Sequence, residues 1–211
     1  ELSTKNEALN LNIIDELKES FFMTEVVEFT SIIRTKNEKN KTTRIKVIDN
    51  LYPLVGKAIV EPANSLKILK TKPNTILIDK TTQKNLDLKL GESIKIQNIK
   101  FEVIGIIKRL PDIGGFFLFG DQALIHKSSL KDLKINNLGT FLSFKYKLIK
   151  EDNNKKLPTN ISNYKNLEIK YPEDISQNLK NAIENFIYFL SIISASAILI
   201  SGIGLKNSLF S

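Results

Sequence analysis

Several residue types are absent or rare in this chain, and each absence excludes a kind of site. The 211 residues include no cysteine, which excludes disulfides, thiolate metal ligands and a cysteine nucleophile. The only histidine is His126. A metal centre needs several ligands and a catalytic triad needs a placed nucleophile, so we interpret His126 as a polar residue at a strand end. The sequence therefore predicts no catalytic residues, no metal site and no cofactor.

Motifs for nucleotide binding and acyl transfer are also missing. There is no G-x-x-x-x-G-K-[ST] phosphate loop, so any nucleotide energy must come from another chain. The segment "GIGLKN" at Gly202 is similar to the start of a dinucleotide fingerprint, but it lies in an apolar run. Ser128 and Ser129 lack a G-x-S-x-G context. Glu25 and Glu28 lie on one predicted strand with odd spacing, which directs them to opposite faces and makes them a poor acid–base pair.

Arginine is scarce although the chain is basic. The formal net charge is +8 and the pI is about 9.4, but the cations are almost all lysine. Arginine occurs only at Arg34, Arg44 and Arg109. Proteins that read phosphates and bases favour the bidentate arginine fork, so the sequence indicates no nucleic-acid partner.

One long stretch lacks charge altogether. Residues 186–205, "FIYFLSIISASAILISGIGL", contain no charged side chain. A bilayer core of about 30 Å requires roughly 20 apolar residues in a helix. The alternative, a buried core helix, usually carries a polar stripe, and no charged stripe is present here. The sequence therefore predicts a transmembrane helix over 186–205.

Small residues recur along this predicted span. They let helices approach closely in lipid, and serine hydroxyls can bond back to carbonyls of their own helix. We therefore expect the span to pack against other transmembrane helices of the same protein. The proposed packing residues are Ser191, Ala195, Ala197, Ser201, Gly202 and Gly204.

The segment before the span has the pattern of an amphipathic helix. It starts near Pro172, and no glycine or proline follows between Glu173 and Ser201. Apolar residues repeat at helical spacing, so one helix is expected to run without interruption into the membrane and to couple the two regions. The coupling residues proposed are Ile175, Leu179, Ile183 and Phe186.

The remainder of the chain indicates an α+β fold. A helix is predicted over 9–20, followed by a hairpin whose arms are 24–35 and 42–49. Short strands follow at "KAIVE", "TILID", "ESIKIQ", "IKFEVIGIIKR", "ALIH", "GTFLSFKYKLI" and "LEIKYP". Residues 1–53 and 137–185 are expected to form an α+β, membrane-proximal subdomain, and 54–136 a β-rich inserted subdomain.

Three aromatic residues lie in the glycine-flanked segment "GGFFLFG": Phe116, Phe117 and Phe119. One interpretation is that their rings fill the core of the domain, as aromatic side chains commonly do. The other is an exposed apolar tip that contacts a substrate or partner. The sequence leaves both open.

Two stretches carry a resemblance to a known family. "LDLKLGESIKI" followed by "FEVIGII" resembles the extracytoplasmic core domain of the FtsX-like permease superfamily, which includes the MacB-type and LolC/LolE-type ABC permeases. Glu92 stands where that pattern commonly has aspartate. The matching residues are Leu86, Leu88, Gly91, Glu92, Ile94, Phe101, Val103, Gly105 and Ile106.

A second set of residues is similar to the YbbP-like branch of this superfamily. Its first part is Arg34, Asp49, Tyr52, Pro53, Leu54 and Gly56. Its second part is Pro111, Asp112, Gly115, Phe116, Phe117 and Leu118.

The resemblance implies a MacB/LolC-type periplasmic domain in a bacterial inner membrane permease. We expect the chain to be a fragment of that permease, and the first span of the permease to lie just before Glu1. It implies three kinds of partner: a cytoplasmic YbbA/LolD-like ATPase, the other spans of the permease, and a lipid, lipoprotein, peptide or other hydrophobic substrate. The chain itself would not be an enzyme. The alternative is a regulatory or scaffold domain of the cell-division FtsX type; a tethered enzyme is disfavoured by the missing motifs.

Overall fold

The computed structural model describes residues 1–111, 121–130, 133, 142–150, 157–158, 161, 164 and 166–209, with the backbone alone at 150, 172–179, 202, 204–205 and 207–209. Within these residues the chain divides into two compact units, Glu1–Ile169 and Lys170–Ser211. The first unit contains every described strand and three of the four described helices, and the second contains one long helix.

The strands are numbered in chain order. They are β1 Leu2–Lys5, β2 Phe21–Arg34, β3 Asn40–Ile48, β4 Ile59–Glu61, β5 Thr75–Asp79, β6 Ser93–Ile96, β7 Ile99–Arg109, β8 Gln122–His126, β9 Ser143–Lys150 and β10 Glu168–Ile169. The helices are α1 Leu11–Ser20, α2 Ser65–Thr71, α3 Lys80–Leu86 and α4 Pro172–Leu209. A 3₁₀ turn covers Lys127–Leu130.

The described strands form one mixed sheet in the order β10-β1-β9-β2-β3-β8-β5-β7-β4, and β6 pairs with both β2 and β7. Antiparallel pairing of β2 with β3 confirms the predicted hairpin. Antiparallel pairing of β6 with β7 forms a second hairpin, which turns between Ile96 and Ile99. Parallel pairing joins β3 to β8 and β5 to β7. Strand β8 belongs to the predicted inserted subdomain and β3 to the predicted membrane-proximal subdomain, so the β3–β8 pairing joins the two. The division into two subdomains remains a prediction.

Apolar side chains cover both faces of the central sheet. Ile76 and Ile78 of β5 belong to one buried cluster, which also contains Leu86 of α3. Leu77, between them, belongs to another cluster with Leu69 of α2. Since successive side chains of a strand point to opposite faces, α2 and α3 pack on opposite sides of the sheet. This explains why β5 is an uninterrupted apolar run and not an alternating one.

Helix α1 confirms the first predicted helix, although it begins later than expected. Asn10 caps it, because its side-chain Oδ1 accepts a hydrogen bond from the backbone N–H of Asn12 at 3.2 Å. Leu9 lies before the helix and is nevertheless buried. The buried residues of the helix itself are Ile13, Ile14 and Leu17.

The second unit is dominated by α4, a single helix of 38 residues from Pro172 to Leu209. At 1.5 Å per residue its length is about 57 Å. The uninterrupted helix predicted from the absence of internal proline is therefore confirmed. Its described apolar window, Lys180–Ser201, is long enough to cross a membrane and has a mean hydropathy of 1.8. This window shares residues 186–201 with the predicted span of 186–205.

Candidate functional site

The apolar part of α4 is exposed on every side within its own unit. Tyr188 is 70% exposed, and the neighbouring Phe186, Ile187 and Phe189 are each more than half exposed. None of the Lys180–Ser201 window is buried. A helix that is hydrophobic all round lies either inside a large core or in a membrane, so this exposure favours a membrane span.

Two serine hydroxyls on α4 are satisfied by the helix itself. Ser191 Oγ donates to the carbonyl oxygen of Ile187 at 2.9 Å, and Ser196 Oγ donates to that of Ile192 at 2.9 Å. The predicted back-bonding is thus confirmed at these two positions. In hydrocarbon an unsatisfied hydroxyl is costly, and back-bonding removes that cost without a second helix.

The predicted packing residues all lie on α4. Ala195, Ala197 and Ser201 are exposed, as Ser191 is, and Gly202 and Gly204 are described by their backbone. Their proposed contact with other spans remains a prediction. Of the predicted coupling residues, Ile183 and Phe186 are exposed. Ile175 and Leu179 lie on the helix, but their side chains are outside the described set.

Phe116, Phe117 and Phe119 lie outside the described residues, so neither interpretation of this segment is tested. The residues that flank it are anchored. A Cβ at Gly56, whose φ is +78°, would lie 2.7 Å from Cβ of Pro111, so Gly56 allows Pro111 to pack closely. On the other side, Lys41 Nζ lies 2.9 Å from Oδ1 of Asp121.

The turn after β3 is organised by Asp49, one of the residues that carried the family resemblance. Its Oδ1 accepts from the Thr24 hydroxyl at 2.5 Å and from the backbone N–H of Tyr52 at 3.0 Å. Oδ1 also accepts from Leu51 N–H at 3.1 Å, and Oδ2 accepts from Glu25 N–H at 2.8 Å. One carboxylate therefore fixes the start of the turn against β2, which is the usual role of aspartate in such turns.

Two further titratable groups flank this turn. Lys70 Nζ of α2 donates to the carbonyl oxygens of Asn50 at 2.9 Å and Tyr52 at 2.5 Å. Burial lowers the pKa of Lys70, and the negative charge of Asp49 acts in the opposite direction. These contacts hold the turn to α2 through side-chain hydrogen bonds.

His126 is the last residue of β8, as predicted for a strand-end histidine. Nδ1 lies 3.0 Å from the Ser128 hydroxyl, and Nε2 is buried without a hydrogen-bond partner in the described part of the chain. Burial lowers the pKa of His126, which Asp49 opposes. Among the described residues no group of three or more histidine or carboxylate side chains is placed to hold a metal ion.

The two carboxylates that the sequence analysis considered as a pair are held by different lysines. Glu25 forms an ion pair with Lys127. Glu28 lies 2.7 Å from Nζ of Lys145 and 3.5 Å from Nζ of Lys46. Burial raises the pKa of Glu28, but the hydrogen bond and charge of Lys145, with the charge of Lys46, outweigh burial and leave this pKa lowered. Both groups therefore work as ion-pair partners within the sheet.

The fold and the exposed helix define a mixed α/β domain followed in sequence by a candidate membrane span. The chain belongs to the MacB-like periplasmic core domain family, whose family model matches residues 4–174. It is thus an extracytoplasmic domain of the kind found in MacB-like ABC transporter permeases, which confirms the family resemblance. The YbbP-like branch within it remains a prediction.

Solved structures are similar to this chain at low sequence identity. The periplasmic region of MacB from Actinobacillus actinomycetemcomitans matches with a TM-score of 0.51 and 13% identity, covering 85% of this chain and 92% of that one. The extracellular domain of the noncanonic ABC-type transporter YknZ from Gram-positive bacteria has a TM-score of 0.49 and 15% identity, covering 69% and 74%. No curated protein sequence matches this chain.

Proposed function

We propose that the chain is the extracytoplasmic domain, with the start of the following span, of a permease that couples ATP hydrolysis by a separate ATPase to the handling of a hydrophobic substrate. The substrate class is a lipid, lipoprotein, peptide or other apolar compound. Membership of the MacB-like family supports the permease assignment, since the matched residues 4–174 cover most of the chain.

One observation carries the coupling part of this proposal. The family match ends at residue 174, and α4 begins at Pro172 and continues to Leu209. The end of the domain and the apolar window are thus parts of one hydrogen-bonded helix. A helix without internal proline transmits displacement along its axis, so movement of the span would reach the residues next to the domain.

The location proposed is the bacterial inner membrane, with Glu1–Ile169 on the periplasmic or extracytoplasmic side. The exposed apolar surface of α4 and its self-satisfied serines support a position in lipid. Its small residues support packing against other spans of the same permease.

Copurification tests the partner assignment. The full-length permease, tagged and extracted from native membranes in mild detergent, should retain an ATPase that carries a phosphate-loop motif, identified by mass spectrometry. Untagged permease carried through the same purification controls for nonspecific retention. Absence of any ABC ATPase from the wild-type complex would contradict the proposal, whereas a full-length protein with only four spans would favour the regulatory, division-type role.

A further inference from the structure

Three cations stand side by side across neighbouring strands of the sheet. Arg34, the last residue of β2, is the direct partner of Lys95 on β6, and Lys95 is the direct partner of Lys100 on β7. Residues directly opposite each other share one face of a sheet, and strands are spaced by about 4.8 Å. The three side chains therefore form a row about 10 Å wide on one face, and we call it the cationic row.

The cationic row places like charges at directly paired positions of neighbouring strands. Like charges directly opposite each other destabilise a sheet, whereas opposite charges stabilise it. Elsewhere in the same sheet the preference is satisfied, because Glu28 of β2 is the direct partner of Lys46 of β3 and forms an ion pair with it. The cationic row is thus an electrostatically unfavourable feature that folding alone does not explain.

The opposite face of the same strands shows that the register is fixed. Ile33 and Ile96, the adjacent pair in the β2–β6 ladder, are fully buried. A one-residue slip would bring apolar residues to the surface and charges into the core, so the register cannot relax to separate the cations. The repulsion is built into the fold.

The cationic row lines a cleft of about 580 Å³ between the turn of the β2–β3 hairpin and the turn of the β6–β7 hairpin. Lys36 adds a fourth cation, and Glu38 is the one carboxylate among the described lining residues. Amide side chains also contribute donors: Asn40, Gln97 and Asn98.

The cations of the cleft form no ion pair with the described part of the chain. Arg34, Lys36, Lys95 and Lys100 are all exposed, and within the described residues none of them forms an ion pair. Nearby lysines do find partners, since Lys39 lies 3.9 Å from Asp87. The cleft therefore holds four positive charges and one negative charge with no compensation from the described part of the chain.

We propose that this cleft binds an anion that bears phosphate groups and carries two or more negative charges. The planar fork of Arg34 matches two oxygens of a phosphate, and the lysines act as point charges on its other oxygens. The charged and amide lining suits a phosphorylated group and offers little to an acyl chain. The site goes beyond the proposed coupling of ATP hydrolysis and does not depend on it.

Titration with inorganic pyrophosphate tests the site. The full 211-residue chain in a neutral detergent should bind one pyrophosphate saturably, measured by calorimetry at low ionic strength. Removing two of the four cations with Arg34→Gln and Lys95→Gln should weaken binding about tenfold or more. Lys57→Gln with Lys67→Gln removes the same net charge from exposed positions outside the cleft and should change affinity by less than about twofold.

A second variant tests whether removing negative charge from the cleft strengthens pyrophosphate binding. Glu38→Gln removes the carboxylate from the cleft and should strengthen pyrophosphate binding about twofold to fivefold. Because this change is expected to improve binding, a folding defect cannot imitate it. Absence of saturable binding, or equal loss in the two double variants, would overturn the proposal.

Two sources of the phosphate group are separated by lipid composition. In nanodiscs that contain phosphatidylglycerol, a headgroup ligand would compete and weaken pyrophosphate binding relative to phosphatidylcholine nanodiscs. A free phosphorylated ligand predicts equal affinity in the two lipids. In either case Arg34→Gln with Lys95→Gln must abolish most of the binding; if it does not, the cleft is not the site.

Discussion

Nζ of Lys145 on β9 donates a 2.7 Å hydrogen bond to Oε2 of Glu28 on the neighbouring strand β2. Lys46 of β3 approaches the other oxygen of the same carboxylate at 3.5 Å. The Glu28 side chain is only 15% exposed, so solvent screens these interactions weakly. Three adjacent strands are thus joined through one carboxylate.

Replacing this carboxylate should therefore destabilise the domain. Glu28→Gln leaves two lysines without their shared partner, and we expect the free energy of unfolding at pH 7 to fall by about 2 kcal/mol. Urea unfolding followed by circular dichroism measures this change. Glu16→Gln, at an exposed position of α1, is the control and should have no measurable effect.

The same carboxylate predicts a loss of stability in acid. The pKa of Glu28 is below its ordinary value of 4.5 in the folded chain, so the unfolded chain takes up this proton first as pH falls. The stabilisation is therefore complete above about pH 5 and is lost as pH falls below 4.5 and through the folded pKa. Unfolding of wild type and Glu28→Gln should differ least at the lowest pH; a constant difference down to about pH 3 would contradict the assignment.

An alkaline transition is expected from Tyr146. Burial raises the pKa of Tyr146 to about 12, although the hydrogen bond from Leu9 N–H acts to lower it. The unfolded phenol ionises near its ordinary value of 10.0, so this contribution to stability is present below pH 10 and is lost between pH 10 and 12. Tyr146→Phe should abolish this part of the pH dependence and, by removing the acceptor for Leu9, cost about 1–2 kcal/mol at pH 7. An unchanged alkaline profile would show that Tyr146 is not responsible.

Gly105 should tolerate no side chain. Its added Cβ would lie 2.6 Å from Ser65 Oγ and 2.9 Å from the backbone oxygen of Glu61. The pairing of β5 with β7 also shifts register here, as it does at a β-bulge. Gly105→Ala should cost about 1–3 kcal/mol through overpacking. At Gly91 an added Cβ would have no neighbour within 4 Å, but φ is +85°. Gly91→Ala should therefore cost about 1 kcal/mol from backbone strain alone. Thermal unfolding should show a larger loss of stability for Gly105→Ala than for Gly91→Ala.

Sequence patterns predicted the elements whose signal is local. The β2–β3 hairpin follows from a β-branched run, a polar turn and an alternating second arm, and α4 follows from helical spacing without proline. Helix α2 was missed because it has seven residues and buries only Ser65 and Leu69, which is too few for a visible period. Strand β1 was missed because four residues carry almost no pattern.

The features that depend on distant pairing could not be predicted from local patterns. Arg34 and Lys95 are far apart in sequence, and their opposition arises only because β6 joins the end of β2. Two of the four hydrogen bonds to Asp49, those from Thr24 and Glu25, depend likewise on β2 lying beside the turn. The resemblance singled out Asp49 and its neighbours, and the structure supplies the physical reason for that aspartate.

The coupling role of α4 is the central claim, and a break in the helix tests it most directly. Asn185→Pro with Glu184→Gly removes a backbone hydrogen bond and should cost the helix about 3 kcal/mol or more at that point. Glu184→Ala with Asn185→Ala changes the same two residues but favours the helix, and it serves as the control.

The decisive measurement is the distance between two nitroxide labels, one at Lys67→Cys in the first unit and one at Tyr188→Cys in α4. It is made with and without ATP, in the permease bound to its ATPase in nanodiscs. The chain has no cysteine of its own, so these two labels are specific within it. The account predicts an ATP-dependent change of this distance in the otherwise wild-type complex and in the alanine control. In the proline–glycine variant the change should disappear while ATP hydrolysis continues within about twofold. The claim is contradicted if the proline–glycine variant shows the same ATP-dependent change of distance as the otherwise wild-type complex. It is also contradicted if the distance in the otherwise wild-type complex does not respond to ATP.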